Sequence, residues 1–125
     1  MNLKEINLQQ QSAREKFQQI WGYEDFRPPQ GEIIQTLLAG QDALIILPTG
    51  GGKSICFQLP ALLQTGLTLV ISPLVALMEN QVNQLRQLGL SGALLHSELP
   101  RSERQKTLQA IAKQQLSLLY LSPET

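Results

Sequence analysis

Residues 47–54 read Leu-Pro-Thr-Gly-Gly-Gly-Lys-Ser and follow the apolar run Ala43-Leu44-Ile45-Ile46-Leu47. Three consecutive glycines can adopt positive φ and turn several backbone N–H groups towards one point. A helix that begins near Lys53 would aim the positive end of its dipole at the same point. The stretch therefore predicts a phosphate-binding loop between a strand and a helix.

The side chains of this loop suit a nucleoside triphosphate and its metal ion. Lys53 would reach the β- and γ-phosphates, and the Ser54 hydroxyl would ligate Mg²⁺. The residues before them would bind the phosphates: Thr49, Gly50, Gly51 and Gly52. The general motif has glycine where this chain has Leu47, so the prediction depends on the flanking strand and helix as well as on the glycines.

The composition is that of one modest globular domain. The chain has 125 residues, 42% of them hydrophobic, and its 10 basic and 10 acidic residues give a formal net charge of +0. A nucleic-acid site must therefore be local. The single cysteine, Cys56, excludes an intramolecular disulfide and is expected to be a small buried residue. No apolar run is long enough to cross a bilayer, so we expect a soluble, cytoplasmic protein.

Beyond Gly40 apolar strands and helices alternate. Strands are predicted at 43–47, 67–71, 92–96 and 117–121, and helices from Lys53, at 74–88 and at 100–113. The first two strands are almost wholly apolar, as expected when helices cover both faces of a sheet. Pro60 is expected to end or kink the helix from Lys53. Such βαβ repetition predicts an α/β three-layer sandwich with a mainly parallel sheet and right-handed crossovers.

Two further helices are predicted before the alternating region. Residues 1–12 are polar and glutamine-rich, and we interpret them as a loose lead-in with at most a short helical start. Residues 13–21 form a helix that Gly22 ends, and Pro28-Pro29 opens a second helix that Gly40 ends. The predicted organisation is a lead-in at 1–12 and a partial ATP-binding domain at 13–125.

Three more segments carry a resemblance to a known family. They are Phe26-Arg27-Pro28-Pro29-Gln30, ISPLVALMENQV at 71–82 and LLYLSPE at 118–124. With the glycine loop, in this order and spacing, they resemble the start of a RecQ-type DNA helicase, a branch of the DEAD/DEAH-box superfamily. The resemblance implies a RecA-like P-loop NTPase fold, ATP with Mg²⁺, and 3′-to-5′ unwinding of DNA in recombination and repair, with single-stranded and duplex DNA as partners.

The resemblance also assigns a base-binding role to residues before the glycine loop. It implies that Gln30 reads the Hoogsteen edge of adenine and that Tyr23 and Arg27 enclose the ring. A side-chain amide can donate and accept in a bidentate pair with adenine, and Arg and Tyr planes stack on a base. Without the resemblance, Gln30 is one glutamine among many.

A DNA-binding surface is implied at the ends of two predicted strands. Ser72, Pro73 and Leu74 would contact the backbone of single-stranded DNA, and His96 with Ser97 would add contacts. A strand end that leads into a helix presents N–H groups and a hydroxyl, which suit a phosphate. The simpler structural interpretations are that Ser72 caps the next helix and that His96 is a partly buried strand-end histidine.

No predicted strand is followed directly by the acidic residue that holds Mg²⁺ in a P-loop NTPase. In the resembling family the Asp-Glu-x-His box and the second RecA-like lobe come later in the sequence. We therefore interpret the sequence as a truncated first lobe, with negligible turnover and marginal stability when alone. The alternatives are a non-catalytic nucleotide- or DNA-binding remnant and, less favoured, a small phosphotransferase.

Overall fold

The computed structural model describes residues 3–46 and 53–124. Within these ranges the chain forms two compact units, residues 1–64 and 65–125. The helices and strands of the described residues are, in chain order, α1 (Leu3–Trp21), α2 (Gln30–Leu38), α3 (Lys53–Leu63), β1 (Thr68–Ile71), α4 (Val75–Gln87), β2 (Gly92–Leu95), α5 (Arg101–Ala112) and β3 (Leu118–Leu121).

Helices α1, α2 and α3 form the first unit around a small apolar core. Its buried members are Ala13 and Phe17 of α1, Ile34 of α2 and Leu59 of α3. The Phe17 ring stacks on Phe26, which lies in the loop after α1, with 4.6 Å between ring centroids. This core fixes the loop against α1, because an aromatic pair adds a specific geometry to the burial of apolar area.

The start of α1 differs from the sequence prediction. The helix begins at Leu3, so residues 3–12 continue it and are not a loose lead-in. Glutamine and leucine have good intrinsic helix propensity, which allows a helix to extend beyond its amphipathic part. The end of α1 is as predicted, since Gly22 has φ 78 and its N–H donates to the Gln18 carbonyl at 3.0 Å.

Helix α3 continues past the proline that was expected to end or kink it. The helix runs to Leu63 with Pro60 inside it, so the predicted end at Pro60 is wrong. Proline removes only its own N–H from the helix, and the Pro60 carbonyl still accepts the N–H of Gln64 at 3.0 Å. The lost hydrogen bond is therefore confined to one turn.

The strand predicted at 43–47 is not formed in its described part, residues 43–46. Leu44 and Ile46 are 90% and 86% exposed. A strand needs hydrogen bonds to a neighbouring strand, and the sheet of the described residues consists only of β1, β2 and β3. An apolar sequence alone is not sufficient for a strand that has no partner, and Leu47 lies outside the described residues.

A parallel sheet in the order β1-β3-β2 forms the centre of the second unit. Val70 of β1 and Leu94 of β2 both pair with Tyr120 of β3. Helix α4 connects β1 to β2 and α5 connects β2 to β3, at the positions predicted from the alternation. The α/β class and the parallel pairing are confirmed.

Helices α4 and α5 lie on opposite faces of this sheet. The buried Tyr120 donates its hydroxyl to Gln81 Oε1 of α4 at 2.9 Å. Its neighbour Leu119 points to the other face, where it packs with Ile111 of α5. The second unit therefore has the three layers that the sequence predicted.

Strand β1 is covered on one face only, which corrects the expectation of coverage on both faces. Leu69 and Ile71 are 54% and 66% exposed, while Thr68 and Val70 are partly buried. Among the described residues α5 packs over the other side of the sheet, near Leu119, and does not cover β1. An exposed apolar edge strand is a surface through which chains can associate.

The opposite edge of the sheet is protected by two arginines. Arg86 Nε donates to the Gly92 carbonyl at 3.1 Å, and Arg104 Nη2 donates to the His96 carbonyl at 2.9 Å. The His96 carbonyl also accepts the N–H of Leu99 at 3.2 Å, and the contact from Arg86 makes the Gly92 carbonyl less available to another strand. These contacts also fix the backbone at His96, where β2 ends.

Candidate nucleotide-binding site

A cavity of about 210 Å³ in the first unit collects the three residues that the resemblance assigns to a base. Tyr23 and Arg27 lie in the loop between α1 and α2, and Gln30 is the first residue of α2. The Tyr23 side chain is 59% exposed, so a face of its ring is accessible to a ligand. The cavity has a further three lining residues: Phe17, Asp25 and Ile55.

Gln30 is the buried polar residue of this cavity, with 1% of its surface exposed. Its Oε1 accepts the backbone N–H of Arg27 at 2.9 Å. This hydrogen bond decides the orientation of the amide, because only the oxygen can accept an N–H. Gln30 therefore presents a defined acceptor side and a defined donor side.

Phe17 is a wall of the cavity that sequence reasoning missed. Its ring centroid lies 5.6 Å from that of Tyr23, in addition to its stacking on Phe26. The spacing of apolar residues in α1 predicts that Phe17 is buried. No local pattern predicts that its ring contacts Tyr23, six residues later in the loop. Ile55 was missed for the same reason, because it reaches the cavity through tertiary packing, and Asp25, which lies between Tyr23 and Arg27 in the loop, was also missed.

From Lys53, the first described residue after position 46, the chain is helical through Leu63, and the glycine loop predicts a helix there. Lys53 is exposed and Ser54 is partly buried in the first turn. Ile55, the next residue, lines the base-sized cavity, so the start of α3 adjoins it. The other predicted phosphate-binding residues, Thr49 and Gly50 to Gly52, lie outside the described residues.

Cys56 is buried in α3, as predicted, with 1% of its surface exposed. Burial raises the pKa of its thiol above the ordinary value, because the thiolate loses its hydration. The thiol is therefore protonated at neutral pH and is a poor nucleophile. Its role in the first unit is packing.

In the second unit Ser72 lies directly after β1. Its N–H donates to the Leu121 carbonyl at 3.1 Å, and its Oγ accepts the N–H of Leu74 at 3.1 Å. The interpretation of Ser72 as the helix cap is wrong, since the cap position of α4 is Leu74 and it has no side-chain cap. The hydroxyl instead closes a tight turn before α4, with Pro73 and Leu74 exposed.

His96 lies at the same carboxyl edge of the sheet, after β2. Its side chain is 13% exposed, and its Nε2 is 4.0 Å from Glu79 Oε1. It is thus the partly buried strand-end histidine of the simpler interpretation, and Ser97 beside it is exposed. Ser72 and His96 both follow the carboxyl ends of their strands. Because β3 lies between β1 and β2, the two residues stand about 10 Å apart, which is two strand spacings.

No group of three His, Cys, Asp or Glu residues within residues 3–46 and 53–124 is placed to hold a metal ion. No helix in the same ranges is long and apolar enough to cross a membrane.

The parallel sheet with helices between its strands is an α/β architecture, and a Gly-Lys-Ser sequence that leads into a helix, α3, is typical of the P-loop NTPase class. Residues 27–125 match the DEAD/DEAH box helicase family, and the chain belongs to that family. The match includes Arg27 and Gln30 at its beginning and β3 near its end.

Individual relatives are RecQ-type proteins. A protein named ATP-dependent DNA helicase RecQ from Synechocystis is 64% identical over 115 residues, which are 92% of this chain and 24% of that protein. The protein of the same name from Haemophilus influenzae is 44% identical over 117 residues, 94% of this chain and 19% of its own. A Caenorhabditis briggsae protein named putative ATP-dependent DNA helicase Q1 is 52% identical over 103 residues, which are 81% of this chain and 17% of that protein. The RecQ resemblance is confirmed, and the chain spans at most 24% of these relatives.

Proposed function

We propose that this chain is the ATP-binding N-terminal part of a RecQ-type 3′-to-5′ DNA helicase, which couples ATP hydrolysis to DNA unwinding in recombination and repair. The observation that carries the proposal is the cavity that Tyr23, Arg27 and Gln30 line beside the start of α3. Residues 13–125 then belong to the ATP-binding domain, and α1, whose residues 3–12 precede residue 13, leads into it. The names of the relatives support both ATP and DNA as ligands.

The orientation of the Gln30 amide favours adenine over guanine. On its Hoogsteen edge adenine has an N6–H donor and an N7 acceptor, whereas guanine has acceptors at both O6 and N7. Gln30 Oε1, which faces the Arg27 N–H, would accept from N6, and Nε2 would donate to N7. Guanine would bring O6 against Oε1, and rotating the amide to suit guanine would break the hydrogen bond from Arg27.

The faces of the base would lie against Tyr23 and Arg27. The Tyr23 ring is exposed at the cavity, and an aromatic ring stacks on any base. The Arg27 guanidinium is planar and charged, and it stacks on a base from the other side. These contacts supply affinity for a purine, while Gln30 supplies the choice between purines.

The triphosphate would extend from the base cavity to the first turn of α3. Lys53 would bind the β- and γ-phosphates as a point charge, with N–H groups of Thr49, Gly50, Gly51 and Gly52 around them. Ser54 fits Mg²⁺, because a hydroxyl is a hard oxygen ligand at the end of the helix where the phosphates lie. The ion would neutralise phosphate charge, and its other ligands would be phosphate oxygens and water.

Replacing Gln30 by alanine tests the readout of adenine. Both purines have an N7 acceptor, so the choice between them falls on Oε1, which would accept from adenine N6 but face guanine O6, and alanine removes this oxygen. We expect the preference for ATP over GTP to fall by about tenfold, because one hydrogen bond to a buried group contributes on the order of 1 kcal/mol or more. The two affinities are measured by isothermal titration with Mg²⁺ present.

The exposed Gln19 on α1 provides a matched control for this experiment, since it is a glutamine of the same unit outside the cavity. Gln19→Ala should leave the ratio of the ATP and GTP affinities unchanged. A ratio that Gln30→Ala also leaves unchanged would count against adenine recognition at this position.

The carboxyl edge of the sheet in the second unit would contact the DNA backbone through Ser72, Pro73, Leu74, His96 and Ser97. The Ser72 oxygen already accepts the Leu74 N–H, so its own O–H is directed to another acceptor, for which a phosphate oxygen is suitable. Contacts of this kind position the strand without reading its sequence.

Ser72→Ala is expected to weaken binding of single-stranded DNA by about threefold, as for the loss of one hydrogen bond to phosphate. Fluorescence anisotropy with a labelled oligonucleotide at fixed salt measures the affinity. Thr65→Ala is the control, because Thr65 is an exposed hydroxyl residue that precedes β1, at the opposite, amino end of the strands. Equal losses for the two variants would remove Ser72 from the DNA-binding surface.

The alternative is a non-catalytic nucleotide- or DNA-binding remnant. An Asp-Glu-x-His box in frame after codon 125 of the gene would decide for the helicase. We propose negligible ATP turnover for residues 1–125 alone under either alternative, and a cytoplasmic location stays a prediction.

A further inference from the structure

Helix α1 holds the base-binding loop, residues 22–27, through two polar side chains one turn apart. Gln18 Nε2 donates to the Glu24 carbonyl at 2.6 Å. Arg14 Nε lies 3.2 Å from Asp25 Oδ1. Positions i and i+4 of a helix share one face, so Arg14 and Gln18 contact two consecutive loop residues from the same side.

Asp25 connects this contact to the residues that face the base. Its Oδ1, which Arg14 holds, also accepts the N–H of Phe26 at 2.8 Å. The next residue is Arg27, whose N–H donates to Gln30 Oε1. The Glu24 carbonyl and, through Asp25, the Phe26 N–H are therefore held by α1, while the Arg27 N–H is held by Gln30 of α2.

We propose that Arg14 and Gln18 are positioning residues for base recognition. Neither side chain lines the base cavity, so each acts through the loop. Through Asp25 and Glu24 they would hold the loop where Tyr23 and Arg27 enclose a purine. This inference rests on the proposed function, because a bound base is the ligand that the loop would orient.

The Arg14–Asp25 ion pair is exposed to solvent, so its role in positioning the loop can be distinguished from a general effect on the stability of the fold. Arg14 and Asp25 side chains are 54% and 62% exposed, and exposed ion pairs add little to the stability of a fold. Their removal should leave the first unit folded but relax the loop. The effect should then fall on base-dependent affinity, because the phosphate-binding start of α3 does not contact Arg14 or Gln18 in these interactions.

The test compares Arg14→Ala and Gln18→Ala with the neighbouring variants Lys16→Ala and Gln19→Ala. Lys16 and Gln19 are exposed residues of the same helix, so they control for charge and for helix propensity. The affinities of ATP, GTP and inorganic tripolyphosphate are measured by isothermal titration of the whole chain. We expect each test variant to lose about three- to fivefold in ATP affinity and to keep its tripolyphosphate affinity.

A conservative substitution provides a readout that a merely structural role would not give. Arg14→Glu, which places a like charge beside Asp25, should weaken ATP binding more than Arg14→Ala, whereas Arg14→Lys keeps the positive charge and should retain most of the affinity. Equal losses for all three ligands, or losses no larger than those of Lys16→Ala and Gln19→Ala, would overturn the inference while leaving the proposed function intact. An unchanged chain that binds ATP no better than tripolyphosphate would overturn the proposed function and this inference together.

Discussion

Lys53→Ala is expected to weaken ATP binding by roughly 10- to 100-fold, because hydrogen bonds to charged groups contribute about 1.5–3 kcal/mol. Lys53 is the first residue of α3 and is exposed, so its ammonium group is available to the β- and γ-phosphates. Its removal leaves the phosphates with backbone N–H groups and Mg²⁺ alone. Isothermal titration with Mg²⁺-ATP measures the loss.

The control for this prediction is Lys113→Ala. Lys113 is also exposed, at the end of α5 in the second unit, and it has no proposed contact with the nucleotide. The folded state is checked for both variants by circular dichroism. If both variants bind ATP as tightly as the unchanged chain, the assignment of the glycine loop to phosphate binding is wrong.

Phe17→Ala is expected to lower the free energy of unfolding of the first unit by about 3–5 kcal/mol. Phe17 is 2% exposed and its ring contacts those of Trp21, Tyr23 and Phe26. Truncation to alanine leaves a void in place of the ring on which Tyr23 and Phe26 of the base-binding loop pack. A loss of this size is a large part of the 5–15 kcal/mol that is typical of a small domain, so ATP affinity should fall with it.

Urea unfolding followed by tryptophan fluorescence measures the change, since Trp21 adjoins the substituted ring. Phe17→Leu is the matched variant, because it keeps most of the buried volume and should cost about 1 kcal/mol. Equal midpoints for Phe17→Ala and the unchanged chain would show that the aromatic core does not hold the first unit together.

Local patterns predicted the elements of the second unit closely. Strands expected at 67–71, 92–96 and 117–121 are observed within a residue or so of those limits, with α4 and α5 between them. The strand predicted at 43–47 failed, although its described residues, 43–46, are just as apolar. The difference lies in pairing, which depends on distant segments and cannot be inferred from one run of residues.

The candidate site was predictable only in part, because some of its residues form a contiguous motif and others meet through contacts between distant segments. Lys53 and Ser54 follow from the glycine run, because the phosphate-binding motif is contiguous in sequence. Gln30 required the family resemblance, since nothing local distinguishes it from other glutamines. Phe17 and the Arg14–Asp25 pair were missed, because α1 reaches the loop only through a turn whose geometry the sequence pattern does not specify.

The relative affinity of the unchanged chain for ATP and GTP tests most directly whether the first unit reads adenine. Both nucleotides carry the same triphosphate, so competition between them in the presence of Mg²⁺ reports on the base alone. We predict that ATP binds about tenfold more tightly, because guanine would place O6 against Gln30 Oε1 and forgo a hydrogen bond. Equal affinities, or tighter binding of GTP, would contradict adenine recognition by Gln30.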